Sequence, residues 1–299
     1  MSIPFTIALD DGEVIRGEVR VPAGTTPVSA VVVVHGFKGF RRWGFFPHSC
    51  DALASDGHAV VSFDFSLNGI GPDGESFTRL EAFERNTLSR EVNELLRVLH
   101  EVRSGNLGLE PPRRIGVLGH SRGGGIAVLA SREDAVRRPG GDAALHPGGH
   151  SGQAGPDALV TWAAVARFGT WSEELKAEWR RNGRIHVPNS RTGQQLPLGR
   201  GLLDDFETNR ERLDVEGAAR ELANFDVPWL IVHGEDDPTV SEADARQLAG
   251  AHPGATLELV PGAGHTFGAR HPFEGSGPEL DRVLDSTRRH FRRHLSRDG

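Results

Sequence analysis

Residues 116–126 read Gly116-Val117-Leu118-Gly119-His120-Ser121-Arg122-Gly123-Gly124-Gly125-Ile126. A short apolar run leads through Gly119-His120-Ser121-Arg122-Gly123 into a small-residue helix start, which is the Gly-x-Ser-x-Gly pattern of a nucleophile elbow. The pattern demands a turn so tight that the serine takes a strained backbone conformation, and only neighbours without side chains pack around it. Such a turn aims the serine hydroxyl out of the top of a sheet. The following helix offers its unpaired N–H groups to a developing negative charge. Ser121 is therefore the candidate nucleophile.

Working outward from this strand, apolar runs alternate with helical patterns along most of the chain. That is the sequence form of an α/β protein with a mainly parallel sheet and helices on both faces. Segments 5–9 and 14–21, separated by Asp10-Asp11-Gly12, predict a hairpin. Further strands are expected at 30–35, 59–65, 114–119, 158–165, 229–234 and 256–261, about eight in all. Helices are expected near 46–55, 83–102, 121–131, 241–249 and 279–295. Right-handed crossovers then bring every strand-to-helix loop to one edge of the sheet, where doubly wound folds keep their sites.

A serine hydroxyl needs a base to take its proton, and the base needs a carboxylate to fix its tautomer and stabilise its charged form. Both belong in later loops at the same edge. After the 229–232 run comes His233-Gly234-Glu235-Asp236-Asp237-Pro238-Thr239-Val240, in which Gly-x-x-Asp-x-x-Val selects Asp237 and keeps Asp236 in reserve; an acidic pair before proline is also ordinary turn chemistry. Downstream, Pro261-Gly262-Ala263-Gly264-His265-Thr266-Phe267 sets His265 in a glycine-rich loop past the last strand. The chain order Ser121, Asp237, His265 differs from both protease orders and fits a Ser…Asp…His hydrolase. An oxyanion also needs donors. The backbone N–H of Arg122 is one, and His35-Gly36-Phe37-Lys38-Gly39, after the first buried parallel strand, offers that of Phe37.

Composition removes several function classes. The 299 residues carry a formal charge of −7, against a nucleic-acid partner, which needs a basic stripe. No apolar run approaches the about 18 residues needed to cross a bilayer, and no leader pattern is visible, so a cytoplasmic protein without membrane contact is expected. Cys50 is the only cysteine, which excludes an internal disulfide and a multi-thiolate metal site. Neither Gly-x-x-x-x-Gly-Lys-Ser/Thr nor Gly-x-Gly-x-x-Gly after the first strand is present, so the nucleotide signatures are missing.

Two stretches break the alternation. Residues 137–157 are rich in Gly, Pro, Ala and His without an apolar period and predict a surface loop. His146 and His150 lie four apart there, but Pro147-Gly148-Gly149 forbids a helix between them, and no metal site is assigned. Residues 167–215 emerge on the serine's side of the sheet and predict a cap or lid inserted in a core of 1–166 and 216–299. A helix at 171–181, a pair of strands at 184–187 and 195–198, and a helix at 202–212 are expected within it. Trp43, Phe45 and Phe46 flank the oxyanion loop, while Trp162, Phe168, Trp171 and Trp179 lead into the cap. From this aromatic set, Trp43, Trp162, Phe168 and Trp171 are taken as the substrate pocket.

With His35-Gly36-Phe37, Gly119-His120-Ser121-Arg122-Gly123, Asp237 and His265 in this order, the chain resembles the α/β-hydrolase superfamily over nearly its whole length. Residues 35–47, His-Gly-Phe-Lys-Gly-Phe-Arg-Arg-Trp-Gly-Phe-Phe-Pro, and Asn189-Ser190-Arg191-Thr192-Gly193-Gln194 look like bacterial esterases near the feruloyl or cinnamoyl esterase and dienelactone hydrolase branches. The resemblance implies an α/β-hydrolase fold and a serine carboxylesterase acting on small to medium acyl or aryl esters, hydroxycinnamates included, through an acyl-enzyme and without a cofactor. It carries the nucleophile, acid, base and oxyanion roles onto Ser121, Asp237, His265, Phe37 and Arg122. Dienelactone hydrolases proper use a cysteine nucleophile, and aromatic-acid esterases often place a cap tyrosine at the phenolic end; this chain has a serine and no tyrosine. Alternative readings are a prolyl-oligopeptidase-like peptidase, a thioesterase or acyltransferase, and a non-catalytic ligand receptor on the same fold. The sequence leaves open whether the protein is a homo-oligomer.

Overall fold

Val31, Val33, Val60, Leu118, Val160, Leu230 and Val232 pack in one apolar layer, and Val32, Val34, Val61, Val117, Leu159 and Ile231 in another. This alternation along neighbouring strands is what a sheet buried on both faces requires. The computed structural model describes residues 2–22, 24, 26–137 and 155–296. Its strands are β1 (Ser2–Ala8), β2 (Val14–Arg20), β3 (Ser29–Val34), β4 (Ala59–Asp64), β5 (Arg114–His120), β6 (Ala158–Trp162), β7 (Arg184–Pro188), β8 (Gln195–Gly199), β9 (Trp229–Gly234) and β10 (Thr256–Val260). Eight of them form one sheet in the order β1-β2-β4-β3-β5-β6-β9-β10, and β7 and β8 form a separate hairpin. Only the β1–β2 and β2–β4 pairings of the large sheet are antiparallel. The fold is that of an α/β hydrolase.

The helices are α1 (Phe46–Ser55), α2 (Leu80–Arg85), α3 (Leu88–Arg103), α4 (Arg122–Arg137), α5 (Glu173–Asn182), α6 (Arg200–Thr208), α7 (Val215–Leu222), α8 (Glu242–Ala251) and α9 (Pro278–Leu295). The single helix expected at 83–102 is two. Asn86 is extended, and Thr87 restarts the helix by accepting from the Arg90 N–H at 3.3 Å. The strand expected at 158–165 stops at Trp162, because Ala163 turns to a φ of 47° and the Val165 N–H reaches the Ser121 carbonyl at 3.4 Å. Sequence periodicity also missed α7, a two-turn helix capped by Asp214, which accepts from the Gly217 N–H at 3.0 Å.

Within 167–215, α5, the β7–β8 hairpin and α6 follow the expected order. Trp179, Ile185, Leu196, Leu198, Leu202 and Leu203 are buried and join the same apolar cluster as β3, β4 and α4. The segment is thus packed onto the sheet-and-helix body through a continuous core. His146 and His150 lie outside the described residues. Among the described residues, no group of three or more His, Cys, Asp or Glu side chains is arranged to hold a metal, and no helix is long and apolar enough to cross a membrane.

Candidate active site

Ser121 stands between β5 and α4 with a φ of 57°, the left-handed conformation that side chains rarely adopt. The surrounding structure over-determines it. Its N–H donates to the Trp162 carbonyl at 2.8 Å, and its carbonyl accepts from Gly124 at 2.9 Å. A Cβ at Gly119 would lie 2.5 Å from the Gly123 carbonyl oxygen, and one at Gly123 would strike the His35 backbone. The two glycines of the elbow are therefore required by close backbone approach rather than by flexibility.

The three residues selected by chain order meet. The Ser121 Oγ lies 3.0 Å from His265 Nε2, and His265 Nδ1 lies 2.8 Å from Asp237 Oδ2. The other carboxylate oxygen of Asp237 accepts from the Thr239 and Val240 N–H groups at 2.8 and 3.0 Å, a turn that follows directly from Asp-Pro-Thr-Val. Burial opposes the charge of this carboxylate, but the His265 hydrogen bond and the two backbone donors outweigh it and hold its pKa below the usual value. Asp236 is exposed and directs only its N–H inward, to the Ala263 carbonyl at 3.0 Å. Of the two adjacent carboxylates, Asp237 is the one that reaches His265.

Two histidines that sequence reasoning passed over hold this arrangement. His233, fully buried at the end of β9, sits 2.9 Å from the Val240 carbonyl and 3.4 Å from Asp237 Oδ2, both through Nε2. Since a carbonyl only accepts, Nε2 carries the proton and braces the acid turn. His120 Nε2 lies 3.0 Å from the His265 carbonyl oxygen in the same way. The available signal was their place in the motifs: one precedes the serine, the other opens the acid loop.

The loop after β3 lies directly against the elbow. A Cβ at Gly36 would fall 3.0 Å from both the His120 carbonyl oxygen and Ser121 Cβ, tighter than side chains ordinarily pack, so glycine favours the approach. His35 anchors this loop. Its Nδ1 faces the Gly36 carbonyl at 2.9 Å, while its Nε2 accepts from the Phe65 N–H at 3.3 Å. Neither the Phe37 N–H nor the Arg122 N–H has a hydrogen-bond partner among the described residues. A serine held against an imidazole, an imidazole held against a carboxylate, and two unspent N–H donors on the residues that follow Gly36 and Ser121 are the groups that nucleophilic attack on a carbonyl requires.

The aromatic set divides. Trp162 is fully buried between Phe45 and Phe267, and its indole N–H donates to Thr287 Oγ1 at 2.9 Å. Its place in the expected pocket is therefore corrected to the packed layer under the sheet, because alternation along β6 points it to the face opposite α4. Trp43 is half-buried, stacked near His271 at 6.3 Å and edge-on to Phe45. Phe168 is half-buried over Gly125, one helical turn from Ser121. Trp171 packs edge-on against Trp179 and Phe206 with centroids at 5.1 and 5.5 Å.

The Asn189–Gln194 stretch is the tip of the β7–β8 hairpin, and it is fastened to the loop after β3. Arg191 Nη2 donates to the Lys38 carbonyl at 2.9 Å, and Lys38 Nζ donates to the Pro188 carbonyl at 3.1 Å. The Arg191 guanidinium also lies over the Phe40 and Phe77 rings at 5.4 and 6.0 Å. Gln194 adds a bond to the Phe77 carbonyl at 3.0 Å.

Among solved structures, the fold is similar to a putative hydrolase from Agrobacterium vitis S4, with a TM-score of 0.70, 21% identity and 99% of each chain covered. It is also similar to Est1E from Butyrivibrio proteoclasticus with ferulic acid bound, with a TM-score of 0.68, 17% identity, and 98% of this chain and 100% of that one covered. Among curated proteins, the non-heme chloroperoxidase CPO-A1 of Kitasatospora aureofaciens is 26% identical over 255 residues, covering 79% of this chain and 84% of that protein. Residues 31–275 match the family described as Alpha/beta hydrolase family, and with the fold and chain order above, the chain belongs to that family.

Proposed function

We propose that the protein is a serine hydrolase that cleaves carboxylic esters of small to medium acyl or aryl type through an acyl-enzyme. The observation that carries this reading is the unbroken relay from Ser121 Oγ through His265 to Asp237, set beside the free N–H groups of Phe37 and Arg122. Neutral His265 takes the Ser121 proton as Oγ attacks the ester carbonyl, and the carbonyl electrons move onto the oxygen facing the two N–H donors. Asp237 holds Nδ1–H and stabilises the imidazolium. The tetrahedral species collapses as His265 returns the proton to the leaving alkoxide, freeing the alcohol and leaving an ester on Ser121. Water, deprotonated by His265, then repeats the sequence and releases the acid.

The segment 167–215 acts in this reading as a cap that shapes substrate access, with Phe168, Trp171 and Trp43 as candidate walls. Hydroxycinnamate esters belong in the substrate panel because the fold is shared with Est1E, whose structure holds ferulic acid. With no tyrosine in the chain, ring recognition would fall to these aromatic side chains.

The test is labelling with a fluorophosphonate, together with turnover of p-nitrophenyl esters, methyl ferulate and an aminoacyl anilide. Label on Ser121, ester turnover, and a loss on the order of 10⁶ in folded Ser121→Ala are expected. Near-normal ester turnover by the Ser121→Ala protein overturns the reading, and turnover confined to the anilide replaces it with a peptidase.

A further inference from the structure

Phe37 and Arg122, the residues that follow Gly36 and Ser121 and carry the two N–H donors of the proposed mechanism, also meet through their side chains. The Arg122 guanidinium lies 5.1 Å from the centroid of the Phe37 ring. Behind it, Glu91 of α3 accepts from Arg122 Nε at 3.0 Å through Oε2 and from Asn86 Nδ2 at 2.7 Å through Oε1. The Phe37 ring also lies 5.7 Å from the Phe83 ring and has Lys38 Nζ 5.5 Å from its centroid. Asn86 is the residue at which the helix breaks, so the interruption between α2 and α3 places both Phe83 and the Glu91 partner in this chain of contacts.

The ion pair is withdrawn from solvent, with side-chain exposures of 12% for Arg122 and 7% for Glu91. Among the described residues, Glu91 is the only carboxylate within ion-pair reach of Arg122. Two charges removed from water contribute little net stability compared with a well-packed apolar pair, whereas their directional hydrogen bonds fix geometry. What this pair fixes is the contact between the side chains of the two oxyanion residues.

We propose that Glu91 is a positioning residue of the oxyanion site: it locks the Arg122 guanidinium against the Phe37 ring and so sets the spacing of the two backbone donors. The inference rests on the serine-hydrolase reading. The neighbouring Glu94 supplies a matched comparison, since it lies three residues along the same helix and is equally buried. It bonds instead to the Ser66 N–H at 2.8 Å, to Ser66 Oγ at 2.5 Å and to Arg90 Nε at 2.7 Å.

The experiment compares Glu91→Gln with Glu94→Gln on p-nitrophenyl acetate, with thermal unfolding of each. Glu91→Gln is expected to lower kcat about tenfold with KM within about twofold, and to slow fluorophosphonate labelling of Ser121 in parallel. Glu94→Gln is expected to lower the unfolding temperature with kcat within about twofold of the parent. Arg122→Met keeps the backbone donor, removes the guanidinium, and should match Glu91→Gln; the double variant should be no slower than the slower single one. An unchanged kcat in Glu91→Gln, an equal kcat loss in both Gln variants, or full additivity in the double variant overturns the proposal. If Glu91→Gln does not fold, an unchanged kcat in Arg122→Met does the same. A parent enzyme whose turnover depends on Ser121 but ignores Glu91 rejects only this inference, whereas turnover that survives Ser121→Ala rejects the enzymatic reading beneath it.

Discussion

His120 donates its Nε2–H to the carbonyl oxygen of His265 at 3.0 Å, so the residue immediately before the serine also holds the loop that brings the imidazole to it. The two rings lie 4.9 Å apart at 52°. Burial, and then the neighbouring His265, push the His120 pKa down to about 3, which keeps this ring a neutral donor at any working pH. His120→Phe keeps the ring volume and removes the donor. It should lower kcat about tenfold with little change in KM, and cost about 1–3 kcal/mol of stability for the unpaired carbonyl. Steady-state kinetics and urea unfolding of one preparation check both, and an unchanged kcat would show that the loop holds itself.

Asp237→Asn should reduce turnover by about 10⁴, since an amide cannot stabilise the imidazolium and favours the wrong tautomer. Asp236→Asn should change it little, because that carboxylate faces solvent. Kinetics of the pair on a single ester decide the matter. Equal losses would mean that both carboxylates serve the histidine.

Folding stability should decline with acid partly through His35. Burial, despite the Gly36 hydrogen bond, pushes its pKa from the ordinary 6.5 to about 4, with Arg122 and Arg41 adding to the shift. The unfolded chain therefore binds a proton that the folded one refuses between those two values, and stability is lost as pH falls through that window. The gap in unfolding free energy between the parent and His35→Gln should shrink by about 1.4 kcal/mol per pH unit from about pH 6 to about pH 4.5. Denaturant titrations at three pH values measure this; a constant gap would mean that His35 is protonated in the folded state.

Trp162→Phe and Arg191→Ala should separate the role of the core from that of the 167–215 segment. The first removes a buried indole and its bond to Thr287, and should cost about 1–3 kcal/mol of stability with KM for all esters unchanged. The second frees the hairpin tip from the Lys38 carbonyl and, if the 167–215 segment shapes substrate access as proposed, should raise KM several-fold for bulky aryl esters but little for acetate esters. A shift of KM in the tryptophan variant, or an unchanged aryl-to-acetate ratio in the arginine variant, contradicts this division.

The sequence by itself determined the sheet, the elbow and the order of the serine, acid and base. Each rests on local chemistry: continuous valine-rich runs that suit strands buried on both faces, glycines forced by backbone approach at 119 and 123, and an Asx turn written into Asp237-Pro238-Thr239-Val240. It also placed α5, the β7–β8 hairpin and α6 in order, because their caps and turn residues are local. The pattern Gly-x-x-Asp-x-x-Val already selects Asp237; only the tertiary structure decided that Trp162 lies beneath the sheet, that His120 reaches the His265 carbonyl and His233 the Val240 carbonyl, and that Glu91 reaches Arg122. Those outcomes depend on contacts between residues about 7 to 145 positions apart in the chain, whose packing no local preference encodes. The hairpin tip shows the same division: its turn was legible from Asn189 to Gly193, but the bond from Arg191 to Lys38 joins segments that meet only once the chain has folded.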